Sequence, residues 1–151
     1  MEDETLDLGQ VDDGLRTSRP PEGFRTVREW ILHAPSDLSP FRNQLAAELA
    51  GEGIQIGRDM DSVASKIVLI ASELATNALT HGLPPTEVWL RRDGALWLLE
   101  VADHDASTPP LYAGAREPGA GGLGLHLARH LSLEVGWFTT SETKNIWVTF
   151  V

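Results

Sequence analysis

Two side chains able to do chemistry stand one helical turn apart near the middle of the chain. Glu73 and Asn77 lie in the stretch from Ala71 to Gly82, and His81 follows four residues later, so all three share one helix stripe. A carboxylate here could act as a general base, and the amide oxygen of Asn77 could be a hard ligand for Mg²⁺. Asparagine is a poor helix former, because its side chain competes for backbone hydrogen bonds. The alternative is a solvated helix face, with His81 a C-terminal charge favoured by the helix dipole.

The helix that would carry this pair is predicted from the period of its apolar residues. It should begin near Asp59 or Asp61 and end at His81, with Gly82 as a left-handed cap before Pro84-Pro85. Its buried face is expected to consist of Val63, Ile67, Ile70, Leu74 and Ala78.

The remaining elements alternate between hairpins and helices. An early strand should run from Phe24 to Ala34, and a helix from Leu38 to Ala50 should bury Leu38, Phe41, Leu45 and Leu49. The next predicted element is a hairpin of two strands, Thr86–Arg92 and Ala95–Ala102, which turns at Asp93-Gly94. A long loop from Asp103 to Gly122 and a helix from Leu123 to Leu131 follow it. The last two strands are Leu133–Thr139 and Ile146–Val151, joined by Ser141–Lys144. This order predicts an α+β two-layer sandwich and not a parallel doubly wound sheet.

Composition limits the function classes. The chain has 151 residues, consistent with one domain, and residues 1–22 are interpreted as an acidic flexible tail before a domain of residues 23–151. A net charge of -10 argues against direct nucleic-acid binding and against an anionic membrane surface. No cysteine is present, the start is acidic and unlike a signal peptide, and no apolar run approaches membrane-spanning length. A cytoplasmic location is therefore expected.

The five tryptophans are interpreted mostly as core or sheet-face residues and not as a base-stacking platform. The alternative is that Trp89 and Trp97, on the predicted hairpin, form an exposed partner surface.

Two further features suit a nucleotide. Asp103 closes a predicted buried strand, where its carboxylate could accept a hydrogen bond from an exocyclic amine such as that of adenine. The glycine-rich turn from Gly119 to Gly124 leads into a helix, and backbone N–H groups at such a place suit phosphate oxygens. Each feature alone is a weak signal.

Order and spacing together are far more specific, and the chain resembles the GHKL, or Bergerat-fold, ATPases. It looks closest to the anti-sigma-factor serine kinase branch, over about Phe24 to Val151. The resemblance rests on Ser72–His81 (SELATNALTH), on Val101-Ala-Asp103 followed by Pro109, and on Gly119–Gly124 followed by Leu125-His-Leu-Ala. It implies a two-layer sandwich with a mixed, mainly antiparallel sheet and helices on one face.

The resemblance also implies roles for single residues. Asn77 would coordinate Mg²⁺, Glu73 would accept the proton of an attacking hydroxyl or water, and Asp103 would take the adenine amino group. The loop from about Asp105 to Gly119 would be a lid. The remaining nucleotide-binding positions are Gly119, Gly121, Gly122, Leu123 and Gly124 at the phosphates, and Asn145 near the adenine.

The sequence departs from the family pattern at three places. Asp105 stands where a glycine often follows the aspartate, and a second carboxylate would repel a polyanion unless it points away. An arginine common in the glycine box of close relatives is replaced within Ala120-Gly121-Gly122. Where a threonine often precedes the last strand near the adenine, Asn145 stands in this sequence, and Thr143 is near enough to substitute.

The function implied is an ATP- and Mg²⁺-dependent serine/threonine protein kinase, anti-sigma-factor-like, in a partner-switching system. Its partners would be a sigma factor and an antagonist protein bearing the target serine, and relatives are often homodimers. The alternative, favoured by Asp105 and the altered glycine box, is a non-catalytic regulator that sequesters a partner through the same fold. A sensor histidine kinase catalytic domain is a third hypothesis, opposed by the lack of a dimerising helix with a phospho-accepting histidine.

Overall fold

The computed structural model describes residues 17–54, 62–107 and 131–151. Within these ranges lie five strands and two α-helices, with a short 3-10 turn (Pro35–Asp37) before the first helix. The strands are β1 (Arg25–Leu32), β2 (Thr86–Asp93), β3 (Leu96–Asp103), β4 (Glu134–Thr139) and β5 (Lys144–Phe150), and the helices are α1 (Leu38–Gly51) and α2 (Val63–His81).

The five strands form one sheet in the order β1-β2-β3-β5-β4. All four pairings between these strands are antiparallel. The most buried strand is β3, which pairs on one side with β2 and on the other with β5. It ends at Asp103, opposite Lys144 at the start of β5. The predicted α+β class and the antiparallel character of the sheet are confirmed.

Both described helices pack against the same face of this sheet, here called the helix face. Apolar side chains at alternate positions of β1, β2, β3 and β5 meet the buried residues of α1 and α2 in one core. In α1 the buried residues are Leu38, Phe41, Leu45 and Leu49, the four that the periodicity predicts. Trp30 of β1 meets Phe41 edge to face, with ring centroids 5.1 Å apart.

The central helix α2 starts a little later than predicted. Ser62, in an extended conformation, is its N-cap, and the Ser62 hydroxyl accepts a hydrogen bond from the Ser65 N–H at 3.1 Å. Side chains from Ile67 to Ala78 on the predicted apolar face are buried, and Val63 is partly buried against the core. The apolar stripe therefore positions Glu73 and Asn77 along its edge.

By length and composition alone, α2 could also span a membrane, with 19 residues and a mean hydropathy of 1.2. This differs from the expectation that no apolar run approaches that length. Core helices of soluble proteins pass the same test, and eight residues of α2 are buried within this fold.

The two predicted hairpins are present, each with its turn displaced by one residue. Asp93 pairs with Leu96, so the loop between β2 and β3 is Gly94-Ala95 and not Asp93-Gly94. Gly94 has φ +61, which suits the first central position of a tight hairpin turn. The second turn closes between Thr140 and Thr143, whose hydroxyls lie 2.7 Å apart, so Lys144 already belongs to β5.

The N-terminal segment reaches the opposite face of the sheet. The Trp147 indole N–H donates to the Ser18 carbonyl at 2.8 Å, across β4 at Gly136, where a Cβ would collide with Trp147. The Arg19 guanidinium lies 4.4 Å from the Phe138 ring centroid. Residues near position 18 thus contact the domain, although the sequence places them in the tail. Residues 1–16 lie outside the described part of the chain.

The tryptophans of the β2–β3 hairpin differ in exposure. Trp97 is 1% exposed and belongs to the core, so the idea that it contributes to an exposed partner surface is wrong. Trp89 is half-buried on the opposite face, with the Arg91 guanidinium 5.4 Å from its ring centroid. Residues 123–130 of the predicted helix and most of the long loop lie outside the described residues. The last residue of that helix, Leu131, is helical and packs against the core.

Candidate functional site

The carboxylate of Asp103 is at the centre of the candidate site. Asp103 ends β3 on the helix face and is 5% exposed. Its Oδ1 accepts a hydrogen bond from the Asp105 N–H at 2.8 Å, and its Oδ2 lies 3.6 Å from the Lys144 Nζ. A strand end, a turn and a neighbouring strand therefore fix this carboxylate in one orientation.

Burial raises the pKa of the Asp103 carboxyl above its ordinary value of 3.8. The hydrogen bond from the Asp105 N–H and the positive charge of Lys144 pull the pKa down, and the Asp105 carboxylate pushes it up again. Because the pKa of Asp103 is raised in the folded state, burial of its charged carboxylate lowers the free energy of unfolding at neutral pH. This destabilisation is relieved as pH falls through the folded pKa towards 3.8.

The same proton would remove a hydrogen-bond acceptor, so we expect acid to affect ligand binding and stability in opposite directions. If Asp103 accepts from adenine, ATP affinity should fall as pH decreases through this raised pKa, while the Asp103 contribution to stability increases. Calorimetric ATP titrations from neutral pH down towards 3.8, on wild type and Asp103→Asn, would test this, since the phosphates of ATP titrate identically in both. Parallel pH profiles of the two proteins would contradict it.

The end of α2 approaches this carboxylate closely. Gly82 has φ -95 and ψ -166, so it is extended and is not the left-handed cap that the sequence predicts. A glycine is required here because there is no room for a side chain: a Cβ at Gly82 would collide with the Asp103 carboxylate and the Ala78 carbonyl oxygen. The residues that follow Asp103 and Gly82 are also in contact, since the His104 N–H donates to the Leu83 carbonyl at 2.8 Å. The helix that carries Asn77 and the strand that carries Asp103 are thereby joined.

We expect Gly82→Ala to displace the Asp103 carboxylate and to destabilise the fold by about 1–3 kcal/mol, as overpacking does. Thermal or urea unfolding would measure the loss, and ATP titration would report the displaced carboxylate. Gly51→Ala is the matched control, because a Cβ at Gly51 meets nothing within 4 Å. Equal stability of the two variants would show that the approach at Gly82 does not constrain the site.

The predicted pair on α2 is free to meet a ligand. Glu73 and Asn77 are both half-buried, and within the described part of the chain neither side chain has a hydrogen-bond or ion-pair partner. Asn77 precedes Gly82 by five residues, about 7.5 Å along the helix axis at about 1.5 Å per residue. Asn77 thus lies between one and two turns up the helix from the point where α2 meets Asp103, and Glu73 lies about one turn further.

Magnesium fits this donor set if phosphate oxygens complete it. No group of three or more His, Cys, Asp or Glu side chains that could hold a metal occurs among residues 17–54, 62–107 and 131–151. Mg²⁺ commonly takes one or two protein oxygens together with waters and the phosphates of its substrate. The unpartnered Asn77 amide oxygen suits that arrangement, and a dedicated protein cage is not required.

The second carboxylate of the site, on Asp105, turns to its own loop. Its Oδ1 accepts from the Ser107 hydroxyl at 2.8 Å and from the Ser107 N–H at 3.3 Å, as in an Asx turn. Its backbone N–H meanwhile supports Asp103. The departure from glycine at this position therefore leaves the backbone hydrogen bond in place.

The predicted site residue Asn145 lies elsewhere. It belongs to β5 with its side chain on the face opposite the helices, where its amide donates to the buried Glu100 at 2.7 Å and accepts from the Thr143 hydroxyl at 2.7 Å. The structure does not bring it together with Asp103. The side chain beside Asp103 is Lys144, which sequence reasoning assigned to a turn. The alternation of β5 could have revealed it, since Lys144 shares parity with the core residues Val148 and Phe150.

The glycine box cannot be compared in the same way, because Gly119, Gly121, Gly122, Leu123 and Gly124 lie outside the described residues. Their assignment to the phosphates stays a prediction, as do the roles of Glu73, Asn77 and Asp103.

The sheet is antiparallel and is covered by helices on one face. One of these helices carries the Glu/Asn pair, and the central strand ends in a buried aspartate. This arrangement is that of a histidine-kinase-like ATPase fold. The model of the histidine kinase-like ATPase domain family matches residues 31–150. The chain therefore belongs to this family and is an ATP-binding domain of that type. A comparison with curated proteins found no match.

Proposed function

We propose that this protein is an ATP-dependent serine/threonine protein kinase of the anti-sigma-factor type, acting in a partner-switching system. ATP would bind with its adenine at Asp103 and its phosphates towards Asn77 and Glu73. The observation that carries the proposal is the Glu73/Asn77 pair, half-buried and without partners among the described residues. A module that only binds nucleotide has no need of the carboxylate.

In the proposed reaction, the hydroxyl oxygen of a partner's serine attacks the γ-phosphorus of ATP. The bond from that phosphorus to the β–γ bridging oxygen breaks, and ADP leaves with the electron pair. Glu73 accepts the hydroxyl proton, and Asn77 would hold Mg²⁺, whose charge would neutralise the phosphate oxygens. Asp103 and the α2–β3 junction hold the adenine, and the bound adenine in turn positions the phosphates of the same nucleotide near Asn77 and Glu73.

The second candidate is a non-catalytic regulator on the same fold, and the surroundings of Asp103 favour it. Both carboxylate oxygens already have partners within the chain, the Asp105 N–H and the Lys144 ammonium. A site that satisfies its own acceptor binds nucleotide more weakly than one left open. Such a protein would act through contacts with its partner alone.

Calorimetric titration with ATP and ADP, with and without Mg²⁺, separates the two candidates at the first step. Magnesium-dependent binding supports the kinase, and the next step is transfer of labelled γ-phosphate to a serine of a co-purifying protein. A folded protein that takes up no nucleotide at millimolar concentration would exclude the kinase and leave the regulator.

Partners and location follow from the same proposal. The expected partners are a sigma factor and an antagonist protein, a homodimer is the expected assembly, and the cytoplasm is the expected compartment. Capture of partners tests the first expectation, and the mass of the protein in solution tests the second.

A further inference from the structure

Lys144 is a buried cation in a site where the family resemblance assigns none. It is 7% exposed and begins β5 on the helix face. It is the direct cross-strand neighbour of Asp103, so the antiparallel register holds the ammonium and the carboxylate side by side. The pairing of β3 with β5 fixes the backbone positions of both residues, which keeps the two side chains within reach of each other.

The contact with Asp103 does not use up the ammonium. At 3.6 Å the Nζ to Oδ2 separation is an ion-pair distance, longer than a hydrogen bond. Within the described residues the Lys144 ammonium has no other polar partner. An ammonium carries three donors, and the contact with Asp103 takes at most one of them. An acceptor atom of a ligand bound beside Asp103 can therefore take one of the remaining donors.

We propose that Lys144 is a specificity-determining residue of this site, which donates a hydrogen bond to the ring N1 of adenine while Asp103 accepts from the neighbouring amino group. The inference rests on the proposed nucleotide site at Asp103. It extends that site by a second contact, made by a residue of β5.

The chemistry of the purine edge supports this pairing. Adenine presents a donor and an acceptor on adjacent atoms, the exocyclic amino group and N1, and a carboxylate beside an ammonium presents the complement. Guanine presents the reverse order, an acceptor oxygen followed by an N–H donor. A carboxylate and an ammonium fixed in position would meet a guanine edge with like groups opposed. Buried polar groups left unpaired are what make such sites selective.

A simpler role for Lys144 makes a different prediction. If the ammonium only neutralises Asp103, its loss lowers the affinity of every purine that contacts Asp103, whether or not the purine has a nitrogen at position 1. If it donates to N1, its loss removes the preference for a base that carries N1. A ligand lacking that single nitrogen therefore separates the two roles.

The test is calorimetric binding of ATP and 1-deaza-ATP to wild type and to Lys144→Met. Wild type should prefer ATP by about tenfold, the order of one hydrogen bond to a charged group. The variant should bind both ligands weakly and alike. The control ligand is 7-deaza-ATP, which keeps N1, and the control variant is Lys66→Met on α2, which should keep the preference.

A second variant protects the test from a failure to fold, since Lys144→Met leaves Asp103 buried without a cation. Lys144→Gln keeps an N–H donor without the charge, and it should retain part of the preference for ATP. Equal affinity of wild type for ATP and 1-deaza-ATP would overturn the inference, and so would an unchanged preference in folded Lys144→Met. Folded wild type that binds no nucleotide would instead overturn the proposed function, and the inference with it.

Discussion

An Asn77→Ala variant is expected to lose the magnesium-dependent part of ATP binding while keeping or gaining stability. The loss should be at least about tenfold, since even outer-shell partners of a metal site typically contribute 10–100-fold to affinity. Stability should not fall, because the Asn77 side chain has no partner among the described residues and alanine is the better helix former by up to about 0.7 kcal/mol. A functional residue thus differs from a structural one by the sign of its effect on folding.

Titrations with ATP, in Mg²⁺ and in chelator, together with thermal unfolding would measure both quantities. Asn43→Ala is the matched control, because Asn43 is an exposed asparagine of α1 and the same gain in helix propensity applies. Identical magnesium dependence in the two variants would contradict a metal ligand at Asn77. A large loss of stability in Asn77→Ala would point to a structural role.

A Glu73→Gln variant is expected to bind ATP with near wild-type affinity and to lose about 10²–10⁴-fold in the rate of phosphoryl transfer, the usual contribution of a general base. The amide keeps the size of the side chain but cannot accept the proton of the attacking hydroxyl. ATP hydrolysis and transfer to a partner's serine would give the rate, and calorimetry would give the affinity.

Glu29→Gln, an exposed glutamate of β1, is the matched control and should change neither quantity. If Glu73→Gln abolishes ATP binding, the carboxylate holds the nucleotide and does not act as the base. An unchanged rate would leave Glu73 as part of a solvated helix face.

Periodic signals predicted the elements well, because they report burial directly. All four buried residues of α1 and the apolar face of α2 follow from spacing alone. Signals from single residues did less well. Gly82 was assigned to a helix cap because glycine tolerates positive φ, yet it is extended and its small size serves the approach of Asp103.

The candidate site was predictable in part for the same reason. Glu73, Asn77 and Asp103 stand in motifs that a sequence displays. Lys144 does not, since a lysine after Ser-Glu-Thr reads as a turn until the register with β3 places it opposite Asp103. The prediction for Asn145 is wrong for the same reason. β5 begins at Lys144, two residues before the predicted start at Ile146, and the alternation of the strand places the Asn145 side chain on the face opposite Asp103.

The pairing of Asp103 with Lys144 has a consequence for the order of events during synthesis. The lysine follows the aspartate by 41 residues (144 minus 103), so at about 5–20 residues per second the ribosome adds it some 2–8 seconds later. Strands β1, β2 and β3 and both described helices are complete before then. Until β5 pairs with β3, Asp103 lacks the Lys144 ammonium that lies 3.6 Å from its Oδ2 in the folded domain. Pairing of β5 with β3 is therefore the step that brings the cation to Asp103.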